Sequence, residues 1–350
     1  MPTESAAAAI IAADAVADAA DALLGVRPKA IRPILLGGNN RIYRLDCAGR
    51  SYALKVYPKQ DSDPRDRLGV EYEALDFLAR HGVESVPRPI AYDRARHCAV
   101  YEWIEGERVA DPGVAEVATL ADFLGRLHGL RRAEGGERLR PASASCFSWT
   151  VMEEQVRARR ARFDPVMADA PDLARFLRDR FDPLAATVLD RLRRDMLGAG
   201  AGYGALPPER LTLSPSDFGF HNALRRPDGG MVFVDFEYFG WDDPVKAVSD
   251  VLLHPGMDLS PALGRCFLDR VVPLYSAGDP GFLQRFDALY PAFALSWCLI
   301  LLNEFLPDVW ARRLRPGLTE DRALVLSRQL GKAERLHQRI VARHGPSSFH

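Results

Sequence analysis

Between Leu211 and Phe239 the chain places polar residues wherever its backbone has to turn. Ser214 to Asn222 reads Ser-Pro-Ser-Asp-Phe-Gly-Phe-His-Asn, a loop with Asp217 five positions before Asn222. The apolar pair Ala223-Leu224 follows directly. Pro227-Asp228-Gly229-Gly230 then carries the signal of a turn, and Met231 to Glu237, Met-Val-Phe-Val-Asp-Phe-Glu, returns as an apolar strand ending in Asp235. The expected structure is a loop followed by a hairpin whose second strand brings Asp235 back after Asn222.

Asp217, Asn222 and Asp235, in that order, form the set that phosphoryl transfer requires. One carboxylate accepts the proton of an attacking hydroxyl, and an Asn and a second carboxylate hold the divalent cations on the nucleotide phosphates. Taken singly, Asx residues in loops cap turns; the order and spacing of all three carry the signal. Asp217-Phe218-Gly219 also spells a magnesium motif. Asn222 lies downstream of it and a strand-end Asp follows, so Asp217 reads as the catalytic aspartate and Asp235 as the magnesium aspartate.

With 350 residues, 47% of them apolar, the chain can bury a sizeable core and is long enough for two lobes. Lys plus Arg is 46 and Asp plus Glu is 47, so nothing global points to nucleic acid or to a membrane surface. The five cysteines, Cys47, Cys98, Cys146, Cys266 and Cys298, are odd in number and lack metal spacing, which fits free thiols in a reducing cytoplasm. The Ala-rich start has no early Lys or Arg and is interrupted by Glu4, Asp14, Asp18 and Asp21. Ala6 to Leu24 therefore reads as an amphipathic helix rather than a signal peptide. The apolar run Tyr290 to Leu302 is too short to span ~30 Å of hydrocarbon and reads as a buried core helix.

Residues 1–30 form an N-terminal helical segment, 31–104 a small β-rich lobe and 105–350 a mostly helical lobe. In the second of these, Ile31 to Leu36, Ile42 to Cys47 and Tyr52 to Tyr57 read as strands, with further strands around Ile90 and at Ala99 to Ile104. Arg67 to Arg80 reads as a helix from the spacing of Leu68, Tyr72, Leu75 and Leu78. Gly37 and Gly38, followed by Asn39, lie between two strands. They suit either close approach of backbone amides to phosphate or an ordinary hairpin turn. Lys55 stands inside an apolar strand, where it either faces solvent or grips the α- and β-phosphates while pairing with a helix Glu. Glu71 is the partner in phase with Leu75 and Leu78; Glu73 points away. In the third segment Val114 to Leu130, Trp149 to Phe163, Leu173 to Arg194 and the chain from Val245 read as helical.

These motifs resemble the aminoglycoside phosphotransferase and choline kinase superfamily, in the right order over roughly residues 31 to 255. Leu36 to Leu45 is similar to its nucleotide loop, Tyr52 to Tyr57 to its lysine strand, and Asp235-Phe236-Glu237 with Asp243-Pro244 to its metal loop and continuation. Tyr101 to Gly106 looks like the hinge, which would offer the backbone of Glu102, Trp103 and Ile104 to a purine. The resemblance implies an α+β, protein-kinase-like two-lobed fold, ATP or GTP with Mg2+, and transfer of the γ-phosphate to a small-molecule hydroxyl. The family's loop usually begins His-Gly-Asp; here it is Pro215-Ser216-Asp217, with His221 just before Asn222.

The acceptor stays open among sugars, aminoglycosides, amino alcohols and nucleosides. Trp297, Glu304 and Asp308 suit a cationic group. Arg157, Arg159, Arg160 and Arg162 suit an anionic one or form a solvated helix face. Asp250 is expected to brace the catalytic loop by accepting backbone hydrogen bonds. The expected partners are a small-molecule acceptor without nucleic acid or membrane, and the protein is expected to be a monomer or homodimer. The altered loop also motivates a catalytically weak, nucleotide-binding regulator of the same fold.

Overall fold

The computed structural model describes residues 4–34, 40–57, 65–198, 204–313 and 321–344. In chain order the elements are α1 (Glu4–Leu24), β1 (Ala30–Ile34), β2 (Arg41–Cys47), β3 (Arg50–Val56), α2 (Arg67–Arg80), β4 (Pro89–Asp93), β5 (Cys98–Glu102), β6 (Glu107–Arg108), α3 (Val114–Gly129), α4 (Trp149–Ala161) and α5 (Pro171–Phe176). After them come α6 (Asp182–Gly198), β7 (Thr212–Ser214), β8 (Ala223–Arg225), β9 (Met231–Phe233), β10 (Gly240–Asp242), α7 (Pro244–Leu253), α8 (Pro261–Ser276), α9 (Phe282–Leu301), α10 (Pro307–Arg313) and α11 (Arg322–His344). The chain forms two compact units. The first takes residues Met1–Asp111, Arg132–Arg140 and Phe220–Gly240, and the second takes Pro112–Arg131, Pro141–Gly219 and Trp241–His350. The hairpin segment, read in sequence within 105–350, thus groups with the first unit.

The first unit is built on a five-stranded antiparallel sheet of order β1-β2-β3-β5-β4. Alternation along the strands sends Leu45, Leu54 and Val100 to one face, where Val16, Ala19 and Ala20 of α1 pack on them. Small alanines let the helix lie close to the sheet. The register pairs Lys55 with Ala99 across β3 and β5, and turns both away from that α1-packed cluster. Helix α2 starts at Asp66, whose carboxylate accepts from the Gly69 amide at 3.0 Å. Its buried face carries Leu68, Glu71, Leu75 and Leu78, recurring at steps of three and four. A smaller sheet, β6-β8-β9, completes the unit, and its β8–β9 hairpin turns through Arg226–Gly230 with Gly229 at φ 88°.

The second unit is helical around α9, which buries Leu289, Phe293, Leu295, Cys298 and Leu299. This helix is longer than the apolar run read from sequence. Its stretch Phe282–Phe305 is long and apolar enough to cross a membrane, and 61% of its apolar window is buried within the fold. Leu173 to Arg194, read as helix, is interrupted by a π-turn at Leu177–Phe181 between α5 and α6. Asp243 caps α7 by accepting from the Val245 amide at 2.8 Å, with Pro244 at the first helical position. The same carboxylate accepts from Arg285 of α9 at 2.9 Å, and Arg285 also holds Asp279.

At the end of α3, His128 is buried beside Tyr275, with Nδ1 3.2 Å from the Thr212 hydroxyl. Burial, with a smaller contribution from the Arg131 charge, pushes its pKa down to about 4. The folded state therefore binds this proton more weakly than the unfolded chain. The stability His128 contributes is present above about pH 6.5 and is lost as pH falls toward 4. In urea titrations the stability advantage of wild type over His128→Gln is expected to shrink by about 1–2 kcal/mol between about pH 7 and pH 5. A pH-independent difference would contradict a buried neutral imidazole.

Candidate active site

Three ionised side chains meet in the first unit. The Lys55 ammonium, 5% exposed, donates to Glu71 Oε2 and to Asp235 Oδ1, both at 2.6 Å. Glu71 Oε2 also accepts from the Tyr57 hydroxyl at 2.7 Å, which lies 2.7 Å from the Tyr101 hydroxyl, and Glu71 Oε1 accepts from the Phe236 amide at 3.3 Å. Lys55 thus does not take the solvent-facing option, because α2 covers its face of the sheet. Glu73 points out to Arg94 and Arg140 at 3.6 and 3.7 Å.

The electrostatics follow from three carboxylates around one ammonium. Burial works against the charge on Lys55, but Asp235, Glu71 and Glu237 outweigh it and hold its pKa well above the ordinary lysine range. Burial raises Glu71 to about 6; Lys55 opposes that shift, while Asp235 and Glu237 add to it. Ligand atoms of Glu71, Asp235 and Glu237 lie within 4.8 Å of one another. Glu237, 3% exposed, accepts from Arg67 at 2.8 Å and from Asn40 Nδ2 at 2.7 Å. The buried Asn40 Oδ1 has no partner. Tyr238 lies under both Arg65 and Arg67, each 5.3 Å from its ring.

The hairpin positions the polar pair. Ala223 pairs with Phe233, so Asn222 faces Val234, whose amide donates to the Asn222 carbonyl at 2.9 Å. Asp235 follows at once, with φ 70°, a left-handed backbone unusual for a non-glycine residue and typical of functional sites. Its side chain is 35% exposed, the most open of the three groups around Lys55.

Asp217 belongs to the second unit. Ser216 before it has φ 67°, and the Asp217 amide donates to the Pro215 carbonyl at 2.9 Å, closing a γ-turn. The Ser216 amide donates to Ser214 Oγ at 3.1 Å and its hydroxyl to the Ser143 carbonyl at 3.2 Å. Phe218 stacks on Phe123, ring centres 5.4 Å apart. Asp217 Oδ1 lies 3.3 Å from His254 Nε2.

Asp250 differs from expectation. Its carboxylate accepts from Lys246 Nζ at 2.7 Å and from Trp297 Nε1 at 2.9 Å, not from loop amides. The loop is supported through Lys246, which also lies 3.2 Å from Asp242 and 3.5 Å from Ser216 Oγ. Asp242 in turn takes the Cys146 and Asp243 amides at 2.8 and 2.9 Å, and burial raises its pKa to about 6 against the pull of Lys246.

Gly37, Gly38 and Asn39 lie outside the described residues. Glu102 ends β5, where its amide donates to the Arg88 carbonyl at 2.8 Å. Trp103 Nε1 donates to Glu105 at 2.6 Å under the Arg44 guanidinium, and Ile104 is buried. The groups considered for an acceptor are already engaged within the fold. Trp297 serves Asp250, Glu304 accepts from Gln329 at 2.8 Å, and Asp308 pairs with Arg162 at 3.3 Å. Arg157 pairs with Glu153, and Arg160 with Asp164 and Asp182. Arg157, Arg160 and Arg162 are thus each paired with a carboxylate. The motifs gave no role to Asn40, Tyr57, Arg67, Lys246 or His254; Asn40 follows Gly37-Gly38-Asn39 and Tyr57 closes the lysine-strand motif, while the other three stand in no motif.

A buried lysine bridged to a helix glutamate and to an aspartate that follows a hairpin defines a site of the protein-kinase-like class, on the α+β fold expected. The sequence profile of the phosphotransferase enzyme family matches residues 30–280, and the chain belongs to that family. Among solved structures it is similar to a spectinomycin phosphotransferase in complex with ADP and spectinomycin (13% identity, TM-score 0.63, covering 93% of this chain and 98% of that one). It is also similar to the choline kinase LicA of Streptococcus pneumoniae (15% identity, TM-score 0.58, covering 93% and 99%). A third similar structure is a thermostable mutant of an aminoglycoside phosphotransferase in ternary complex with AMP-PNP and hygromycin B (16% identity, TM-score 0.53, covering 93% and 98%). No curated protein sequence matches.

Lys55→Met leaves Glu71 and Asp235 without their ammonium, and breaking a buried pair in this way costs about 3–5 kcal/mol. The folded state already binds the Glu71 proton more tightly than the unfolded chain, so this group's contribution to stability falls as pH rises from about 4.5 through 6. Without Lys55 the folded pKa rises further. The deficit in urea unfolding is therefore expected to be largest at about pH 8 and to shrink toward pH 5. A pH-independent deficit would contradict the cluster.

Proposed function

We propose that this protein transfers the γ-phosphoryl group of ATP, or GTP in its place, to a hydroxyl group of a small molecule. The observation that carries the reading is Lys55 held between Glu71 and Asp235, with Asn222 brought to the same end of the hairpin. Family membership and the nucleotide complexes of similar structures support it. Residues 31–104 would supply most nucleotide contacts and 105–350 the acceptor pocket. Lys55, oriented by Glu71, would hold the α- and β-phosphates. Gly37, Gly38 and Asn39 would cover the phosphates, and the backbone of Glu102, Trp103 and Ile104 would meet the base.

The donor set suits Mg2+: hard oxygens on Asp235 and Asn222, acids converging within 4.8 Å, and an orphaned Asn40 oxygen beside them. When bound there, Mg2+ would neutralise charge on the β- and γ-phosphates. Asp217 would orient the acceptor hydroxyl and take its proton as the acceptor oxygen bonds to the γ-phosphorus. The bond to the β-bridging oxygen breaks, and ADP leaves with that electron pair. Catalysis of this kind rests on positioning and charge compensation.

The test is a screen of labelled ATP against sugars, aminoglycosides, amino alcohols and nucleosides with wild type and Asp217→Asn. Wild type is expected to phosphorylate one of these classes. Asp217→Asn is expected to keep nucleotide-induced thermal stabilisation and to lose about 10²- to 10⁴-fold in turnover. Turnover at the wild-type rate in Asp217→Asn would remove Asp217 as the proton acceptor. Stabilisation by ATP with no transfer to any acceptor would favour the regulatory reading that the Pro215-Ser216-Asp217 loop motivates.

A further inference from the structure

We infer that His254 is a positioning residue for Asp217, holding one carboxylate oxygen in place through its Nε2 proton; this rests on the reading of Asp217 as the proton acceptor. His254 ends α7 with extended backbone (φ −62°, ψ 125°), its amide donating to the Asp250 carbonyl at 2.8 Å. Pro255 prevents the helix from continuing. The Met257 amide closes the turn on the His254 carbonyl at 3.0 Å. The residue is therefore anchored on both sides by backbone bonds.

The ring is anchored as well. His254 Nδ1 lies 2.9 Å from the Gly256 amide nitrogen. An amide N–H only donates, so Nδ1 must be the unprotonated acceptor, and the proton of the neutral imidazole sits on Nε2. Nε2 faces Asp217 Oδ1 at 3.3 Å. Trp297 meets the ring edge-on, with centres 4.8 Å apart at 81°, and is itself fixed by its Nε1 bond to Asp250. Lys246, bonded to Asp250 at 2.7 Å, reaches Ser216 Oγ at 3.5 Å. Both residues of the Ser216-Asp217 pair are thus tied to α7, Ser216 through Lys246 and Asp217 through His254. A carboxylate that must meet a hydroxyl within hydrogen-bond distance gains from such restraint, because small misplacements cost on the order of 10²-fold in rate.

The experiment uses the full chain with Mg2+ and ATP, water as the acceptor and ADP release as the readout, on wild type, Asp217→Asn, His254→Phe and His254→Gln. His254→Phe keeps the shape against Trp297 but removes the donor. It is expected to lower kcat on the order of 10²-fold while KM for ATP and the nucleotide-induced thermal shift stay as in wild type. His254→Gln restores an N–H and is expected to recover most of the loss. Unchanged kcat in His254→Phe beside an inactive Asp217→Asn overturns the positioning role alone. Equal losses in Phe and Gln variants, or a changed KM for ATP, also overturn it. An Asp217→Asn variant that turns over like wild type removes the proton-acceptor reading itself, and the positioning role with it. Independently of turnover, nitrogen NMR of labelled histidine in wild type is expected to show His254 as the Nε2–H tautomer, shifting in Asp217→Asn. An Nδ1–H tautomer, or no response to Asp217→Asn, overturns the contact.

Discussion

A lysine ammonium at 5% exposure, 2.6 Å from each of two carboxylates, is the interaction on which the first unit is organised. Lys55 comes from the sheet, Glu71 from α2 and Asp235 from the end of the β8–β9 hairpin. Three elements separated in sequence must therefore be placed correctly for one set of ion pairs to form. A bare ammonium in this position would cost several kcal/mol in desolvation, so the elements and the charges depend on one another.

The arrangement is not the most economical way to stabilise a fold. An apolar residue of similar volume in place of each ion would fill the space without desolvating charge. Glu71 feels this directly, with its pKa raised to about 6 by burial. Asp235 sits in a left-handed backbone conformation that costs on the order of 1 kcal/mol or more. A second set, Lys246 with Asp242 and Asp250, repeats the pattern under the Ser216-Asp217 turn in the other unit. Strain and buried charge thus collect at the two places where phosphoryl-transfer chemistry would need rigid groups, a distribution that chemistry explains better than stability does.

Much of this was legible because periodicity reports local structure. The three- and four-residue steps through Arg67–Arg80 place Glu71 on the covered face and Glu73 outside, and the turn at Pro227–Gly230 predicts the hairpin. The α+β kinase-like fold is what the family resemblance carried by these motifs implies. What alternation could not decide was whether Lys55 faced water or a second layer, since that depends on α2 packing over the sheet. Asp250 was misread for a related reason: its partners Lys246 and Trp297 come from its own helix and from α9, and neither stands in a recognisable motif. His254 left no local signal, because its meeting with Asp217 depends on where α7 ends relative to the Ser216 turn. The acceptor side was least legible, since charged residues on helices find partners such as Asp182 and Asp308 that only tertiary structure reveals.

The Lys55, Glu71 and Asp235 cluster, with Asn222, is proposed as a magnesium–nucleotide site. Thermal unfolding of wild type and Asp235→Ala with and without Mg2+ and ATP tests it most directly. A ligand at about 100 times its dissociation constant stabilises by about 2.7 kcal/mol, enough for a clear rise in Tm. A magnesium-dependent rise is expected in wild type and is expected to be absent in Asp235→Ala. No rise in wild type with ATP or GTP, or an equal rise in Asp235→Ala, would contradict the proposal.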